Sequence, residues 1–164
     1  MSRRRYIAWN GATAALTAAL ASVATGTAIK TMMQIKPTTN ISILEWGYSF
    51  DIVPTAVIKV ELITTGAINA TVVAYNAGDV RGYDDSGGAA TAITLGTASS
   101  GFTASAEGTI TSTRVLDGGL TWAQQYSKQF PLDREPGVVS TDYLRVRVTT
   151  ATTINMLCYV VWEE

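Results

Sequence analysis

From residue 27 onward the chain reads as short runs in which apolar and polar positions alternate, broken by Gly, Pro, Asn and Asp. The runs at 27–35, 41–50, 56–64, 70–76, 108–116, 126–132, 143–150 and 154–162 are rich in β-branched and aromatic residues, and each predicts a strand. In 56–64, Ile58, Val60 and Leu62 point one way and Lys59 and Glu61 the other, so the pattern predicts a core face and a wet face. "LDGG" at 116–119 and "REPG" at 134–137 carry turn chemistry. About eight antiparallel strands without helical crossovers predict an all-β fold, an antiparallel β-sandwich of jelly-roll type.

Two segments depart from this rhythm. Residues 77–108 are a long Gly, Ser, Ala and Thr stretch, which predicts either a weak strand near 91–97 or a functional surface loop. The last run, 154–162, does not alternate: Met156, Cys158, Val160 and Trp162 would face one way, and Leu157, Tyr159 and Val161 the other. Its predecessor does alternate, with Leu144, Val146 and Val148 against Arg145, Arg147 and Thr149. A terminal strand that is apolar on both faces needs cover on both. A second copy of the chain would supply it, which makes Leu157, Tyr159 and Val161 the candidate subunit interface; the chain's own N-terminal segment is the other possible cover.

Residues 1–26 read as an N-terminal arm ahead of a sandwich domain at 27–164. The Ala-rich stretch from Ala12 to Ala24 has some helix propensity, but Gly11 and Gly26 bracket it and four Ser/Thr residues dilute it. Extended at about 3.3 Å per residue, such an arm reaches roughly 80 Å, far enough to cross a neighbouring subunit. Its basic start and small-residue middle also resemble a secretion signal, a reading weakened by Asn10, Gly11 and the scarcity of Leu and Val. Thr13, Thr17, Ser22 and Thr25 leave no run of about 18 apolar residues, so no membrane span is expected.

Composition narrows the chemistry. A chain of 164 residues fits one domain with a real core, and its net charge of −1 with 15% charged residues gives no general attraction for nucleic acid or an anionic membrane. Neither is expected as a partner. The chain has no histidine, which removes the commonest general base and metal ligand, and its one cysteine, Cys158, lies in an apolar strand where an inert core thiol is expected. None of Lys30, Lys36, Lys59 and Lys128 stands in an S-x-x-K motif. The acids Asp79, Asp84, Asp85, Glu107 and Asp133 read as solvated turn formers rather than a glycosidase pair, and "GDVRGYDDSGG" lacks the ligand spacing of a calcium loop. No enzyme, cofactor or metal site is expected.

The remaining candidates are contact residues. Among Trp46, Tyr48, Phe50, Tyr75, Tyr83 and Trp122, the sequence around Tyr83 and Trp122 is loop-like and polar, so these two are the candidate surface contacts for a partner or glycan. Arg3, Arg4 and Arg5 form the one basic run.

Three phrases, "LEWGYSFD" (44–51), "SAEGTITSTRVLDGG" (105–119) and "QFPLDREPGV…DYLRVRVT…NMLCYVVWEE" (129–164), together with "ATGTAIKTMMQI" (24–35), resemble a family of small structural proteins of tailed phages infecting actinobacteria. The resemblance implies a virion protein made in the host cytoplasm, a capsid decoration (cement) protein on the outside of the head. It further implies a homotrimer that binds the major capsid protein through an arm carrying Arg3, Arg4, Arg5, Tyr6 and Trp9. The rival expectation is a tail or head-fibre adhesion module that binds host glycan through the 77–108 loop and Trp122.

Overall fold

The computed structural model describes residues 3–84 and 88–164, and every structural statement below concerns these. Asp85 lies outside them. Thirteen strands follow one another: β1 (Arg5–Trp9), β2 (Val23–Ala24), β3 (Ile29–Ile35), β4 (Ile41–Phe50), β5 (Ile58–Thr64), β6 (Thr71–Ala74), β7 (Arg81–Gly82), β8 (Gly101–Ala106), β9 (Arg114–Thr121), β10 (Gln125–Gln129), β11 (Gly137–Val138), β12 (Leu144–Thr149) and β13 (Asn155–Glu163). They form two antiparallel sheets packed face to face, the expected β-sandwich. One sheet runs β10-β4-β13-β1-β7, with β11 also on β4 and β2 also on β13; the other runs β6-β8-β3-β12-β5-β9. The chain passes from one sheet to the other between β2 and β3, β3 and β4, β4 and β5, β6 and β7, β7 and β8, β9 and β10, β11 and β12, and β12 and β13.

Between the sheets lies a single large core that includes Met32, Ile35, Ile43, Trp46, Val60, Leu62, Val146, Val148, Met156, Val160 and Trp162, all buried. Cys158 is fully buried in it, and burial pushes its thiol pKa up, as expected of an inert thiol.

The N-terminal segment is not an arm that leaves the domain. β1 pairs residue for residue with β13, from Arg5↔Glu163 to Trp9↔Tyr159, and carries β7 on its other side. Tyr6 and Ala8 are fully buried. Tyr6 stacks near Trp162 and donates its hydroxyl to the carbonyl of Ala89. Just beyond β1, Asn10 continues the ladder with its side chain: its amide donates to the Met156 carbonyl at 3.0 Å and accepts from the Cys158 N–H at 2.8 Å. The alternation of Tyr6 and Ala8 with Ile7 and Trp9 is a strand signal, masked in the sequence by three preceding arginines.

Residues 12–22 then cross the surface in turns rather than a helix. Buried Asp79 holds them, accepting from the backbone N–H groups of Thr13 and Ala14 at 2.8 and 2.9 Å, while Arg81 donates to the Ala14 carbonyl. Asp79 also accepts from the Asn76 N–H, so its carboxylate is a structural anchor.

The outer face of the second sheet overturns two expectations. Arg145 and Arg147 on β12, and Glu61 on β5, are not wet: they are 0%, 6% and 6% exposed. Residues 107–113, of which 108–113 are expected within a strand, instead cross this face as a strap. Arg145 donates to the carbonyls of Glu107, Thr109 and Ile68, and Arg147 to that of Ile110. Arg147 also binds Glu61 at 2.9 and 3.1 Å, and Lys59 reaches the other Glu61 oxygen at 3.1 Å. Glu107 folds back over β3, accepting from the N–H and hydroxyl of Thr31. Burying two guanidinium groups is tolerable only because carbonyls and carboxylates meet them.

The strand after the strap is β9, and the glycines expected to turn at 116–119 lie inside it. Gly118 has φ +142, and a Cβ there would stand 2.6 Å from the Val60 carbonyl oxygen. Gly118 therefore marks a close strand-to-strand approach beside a bulge at Leu62/Ile63 rather than a turn, whereas a Cβ at Gly119 would meet no atom within 4 Å. Of the 77–108 stretch, 91–97 contributes one bridge, Pro37↔Ile93, and buries Ala92 and Ile93; its strands are the two-residue β7 and the longer β8.

Candidate functional site

β13 lies between β4 and β1, with Met156, Cys158, Val160 and Trp162 in the core. On its outward face Leu157 and Tyr159 are half-buried and Val161 is buried. Trp9 packs on Tyr159 with ring centroids 4.9 Å apart, and the Tyr159 hydroxyl donates to Glu45. Burial and this carboxylate push the Tyr159 pKa up. Gly47 stands opposite Tyr159 in the register, and a Cβ there would lie 2.8 Å from the ring, so the glycine makes room for it. Val161 lines a cleft of about 170 Å³ with Arg5, Leu44, Tyr83, Phe130 and Leu132. The chain thus covers part of this face itself, and Ile7, Trp9, Leu157 and Tyr159 remain as a half-exposed apolar strip across β1 and β13.

The candidate capsid-binding residues divide. Arg3 and Arg5 both reach Glu163, at 2.8 and 3.7 Å, and the hydrogen bond and charge of Glu163 raise the Arg3 pKa further. Arg3, Arg4 and Arg5 are exposed, whereas Tyr6 is in the core and Trp9 is engaged with Tyr159. Tyr6 has no surface to offer a partner. Tyr83, 55% exposed, sits beside the arginines, its N–H donating to the Arg5 carbonyl. Trp122, 60% exposed, lies at the opposite end, because Thr121 pairs with the start of β5 and Gln125 with the end of β4. The two candidate surface contacts therefore belong to different sites.

The Trp122 end is apolar. The β4–β5 connection brings Ile52 and Val53 to it, 57% and 62% exposed, and Leu120 at 74% ends the outward row of β9. Beside them, β9 and β10 are the lateral edges of the two sheets, and a cleft of about 220 Å³ opens between them. Trp46, Tyr48 and Tyr126 form its aromatic wall, and Gly118, Gly119, Leu120 and Thr121 its other side. Asp117 ties the sheets together beneath it. It accepts from Trp46 Nε1 at 2.9 Å, from the Tyr126 hydroxyl at 2.8 Å and from Lys128 Nζ at 3.0 Å. Of this cluster only Trp46 and Tyr48 were among the aromatic candidates in the sequence, and Asp117 sat in an apparent turn.

Burial alone would raise the Asp117 pKa, but the hydrogen bonds from Tyr126, Lys128 and Trp46 outweigh it and hold the carboxyl below its ordinary value. Tyr126, desolvated and facing that carboxylate, is pushed up to about 12. A depressed folded-state pKa contributes stability above the unfolded value, about 3.9, that disappears as pH falls through the folded value. Urea denaturation is therefore expected to show stability falling below about pH 4, and Asp117→Asn is expected to flatten that part of the profile. An unchanged acid limb in Asp117→Asn would assign the loss to other carboxylates.

No grouping of three or more His, Cys, Asp or Glu side chains that could hold a metal occurs among the described residues. No protein-family model, curated protein or solved structure matches the chain.

Proposed function

We propose that the protein is a structural component of a tailed-phage virion, a capsid decoration protein that binds the outer head surface as a homotrimer and holds neighbouring capsomers together. The family resemblance supplies the role. The observation that carries the self-association is the apolar strip Ile7, Trp9, Leu157 and Tyr159. It lies on the outer face of the first sheet, whereas the outer face of the second is covered by the chain's own strap. A second copy buries that strip. The exposed arginines Arg3, Arg4 and Arg5 at the C-terminal end of β13 then meet acidic groups of the major capsid protein. Binding to the assembled lattice and not to free capsomers stabilises the lattice by mass action.

The test is co-sedimentation with empty heads of the encoding phage. The intact protein is expected to be trimeric by sedimentation equilibrium and to pellet with heads. Replacing Arg3, Arg4 and Arg5 together by Glu is expected to abolish pelleting and leave the trimer, since these side chains are outside the core. Leu157→Glu is expected to yield monomers. A monomeric wild-type protein, or charge-reversed protein that still pellets fully, contradicts the proposal.

A further inference from the structure

We propose that the cleft between β9 and β10 is a binding site for a neutral sugar ring. This inference is independent of the head-binding role, which uses the opposite end of the molecule.

The topology leaves the sandwich open here. β9 ends one sheet and β10 ends the other, so each has a strand neighbour on one side only, and the cleft separates the two free sides. Peptide groups on a free strand edge are unspent donors and acceptors. Against them stand half-buried Tyr126 and the small exposed part of Tyr48, with fully buried Trp46 behind them. Apolar ring faces opposed to a small number of fixed polar groups are what a sugar needs, because a pyranose presents C–H faces and an equatorial rim of hydroxyls. Thr121 adds a hydroxyl to the lining, and that oxygen accepts from the Ala123 N–H at 2.9 Å. A volume of about 220 Å³ accommodates one six-membered ring and not an extended peptide.

The charge of the ligand follows from the floor. Asp117 is the carboxylate beneath the cleft, and Lys128 at 3.0 Å offsets it. Its oxygens are already occupied by Trp46, Tyr126 and Lys128. The cleft therefore offers neither a free carboxylate to a cation nor a free cation to a phosphate or carboxylate, which selects an uncharged ligand. Trp122 and Leu120, both exposed at this end, extend the apolar surface beyond the cleft, where a second sugar of a chain would lie.

Gly119 supplies a clean test. It lines the cleft, and a Cβ added there meets no atom within 4 Å, so a larger side chain fills the cleft without disturbing the sheet. Valine is also a good strand former. The experiment titrates intact, isotope-labelled protein with glucose, galactose, mannose and N-acetylglucosamine, together with their short neutral oligomers. It reads saturation transfer to the sugar and amide shifts in the protein. At least one sugar is expected to bind at millimolar concentration and to shift residues 118–121. Gly119→Val is expected to weaken it about tenfold or more while keeping the wild-type melting temperature. Val115→Ser, on the outer face of β9, is expected to bind as wild type. No binding by any sugar overturns the proposal, as does binding that survives Gly119→Val. Shifts at 118–121 produced by an extended peptide and by no sugar would reassign the open edges to strand addition.

Discussion

Deleting residues 2–11 is expected to unfold the protein rather than free it from a partner. The deletion removes all of β1, an interior strand with β13 on one side and β7 on the other, together with Asn10, whose side chain satisfies two backbone groups of β13. Small domains are stable by only about 5–15 kcal/mol. Losing buried Tyr6 alone is worth about 3–5 kcal/mol by analogy with large aromatic truncations, before the lost pairing is counted. The truncated protein is therefore expected to lose its cooperative urea transition and its near-ultraviolet circular dichroism. A graded series keeps the expectation testable if the deletion is insoluble. Tyr6→Ala should cost most of that, whereas Tyr6→Phe, which gives up only the hydrogen bond to Ala89, should cost about 1 kcal/mol. A truncated protein that melts like the intact one would contradict the assignment of β1 to the fold.

The second large effect is expected at Arg145. Its side chain has no exposure and donates to three carbonyls, those of Glu107, Thr109 and Ile68, and it lies 3.6 Å from the Glu107 carboxylate. Arg145→Ala leaves those carbonyls without their donor and a carboxylate 16% exposed without its counter-charge. Removing one partner of a buried pair typically costs about 3–5 kcal/mol. The loss is expected to be local in origin. The strap at 107–113 should show amide hydrogen exchange accelerated far more than β13, since the strap is what the arginine holds. Arg145→Lys is expected to rescue little, because one ammonium cannot reach three carbonyls in the guanidinium's planar geometry. Equal stability of Arg145→Ala and wild type would show that the strap is held by Arg147 and Glu107 alone.

How far the sequence carried the fold can be seen in these two residues. Alternation placed β3, β4, β5, β12 and β13 within about two residues of their observed bounds, since strands with one core face have a fixed period. Alternation reports which residues share a face, however, and not whether the polar face is wet. Arg145, Arg147 and Glu61 share a face as expected, but the strap covers it, and the carbonyls that make this tolerable belong to residues 68 and 107–110, distant in the chain. Gly118 was misread for a similar reason: glycine serves both turns and close backbone approach, and only the position of the Val60 carbonyl distinguishes them here. The double-sided apolar pattern of β13 was legible, and so were its possible covers. Trp9 on Tyr159 supplies part of the cover from the chain's own N-terminus, and the proposed trimer supplies the rest.

The aromatic cleft was less accessible. Trp46, Tyr48 and Phe50 share the inward face of β4; Trp46 and Phe50 read as core, and all three are buried. Their meeting with Tyr126 and Asp117 depends on β9 and β10 being consecutive in sequence yet in different sheets. No local pattern encodes that crossing. Trp122 was read as a contact from its polar surroundings, and it is exposed, but the neighbours that give it meaning, Ile52, Val53 and Leu120, come from other strands.

The measurement that bears most directly on the proposed role is electron cryomicroscopy of heads from the encoding phage, with and without the gene for this chain. The account predicts trimeric density on the outer head surface at threefold or quasi-threefold positions, present only when the gene is, with the end bearing Arg3, Arg4 and Arg5 facing the lattice. Heads identical in the two preparations, or density confined to the tail, would contradict it.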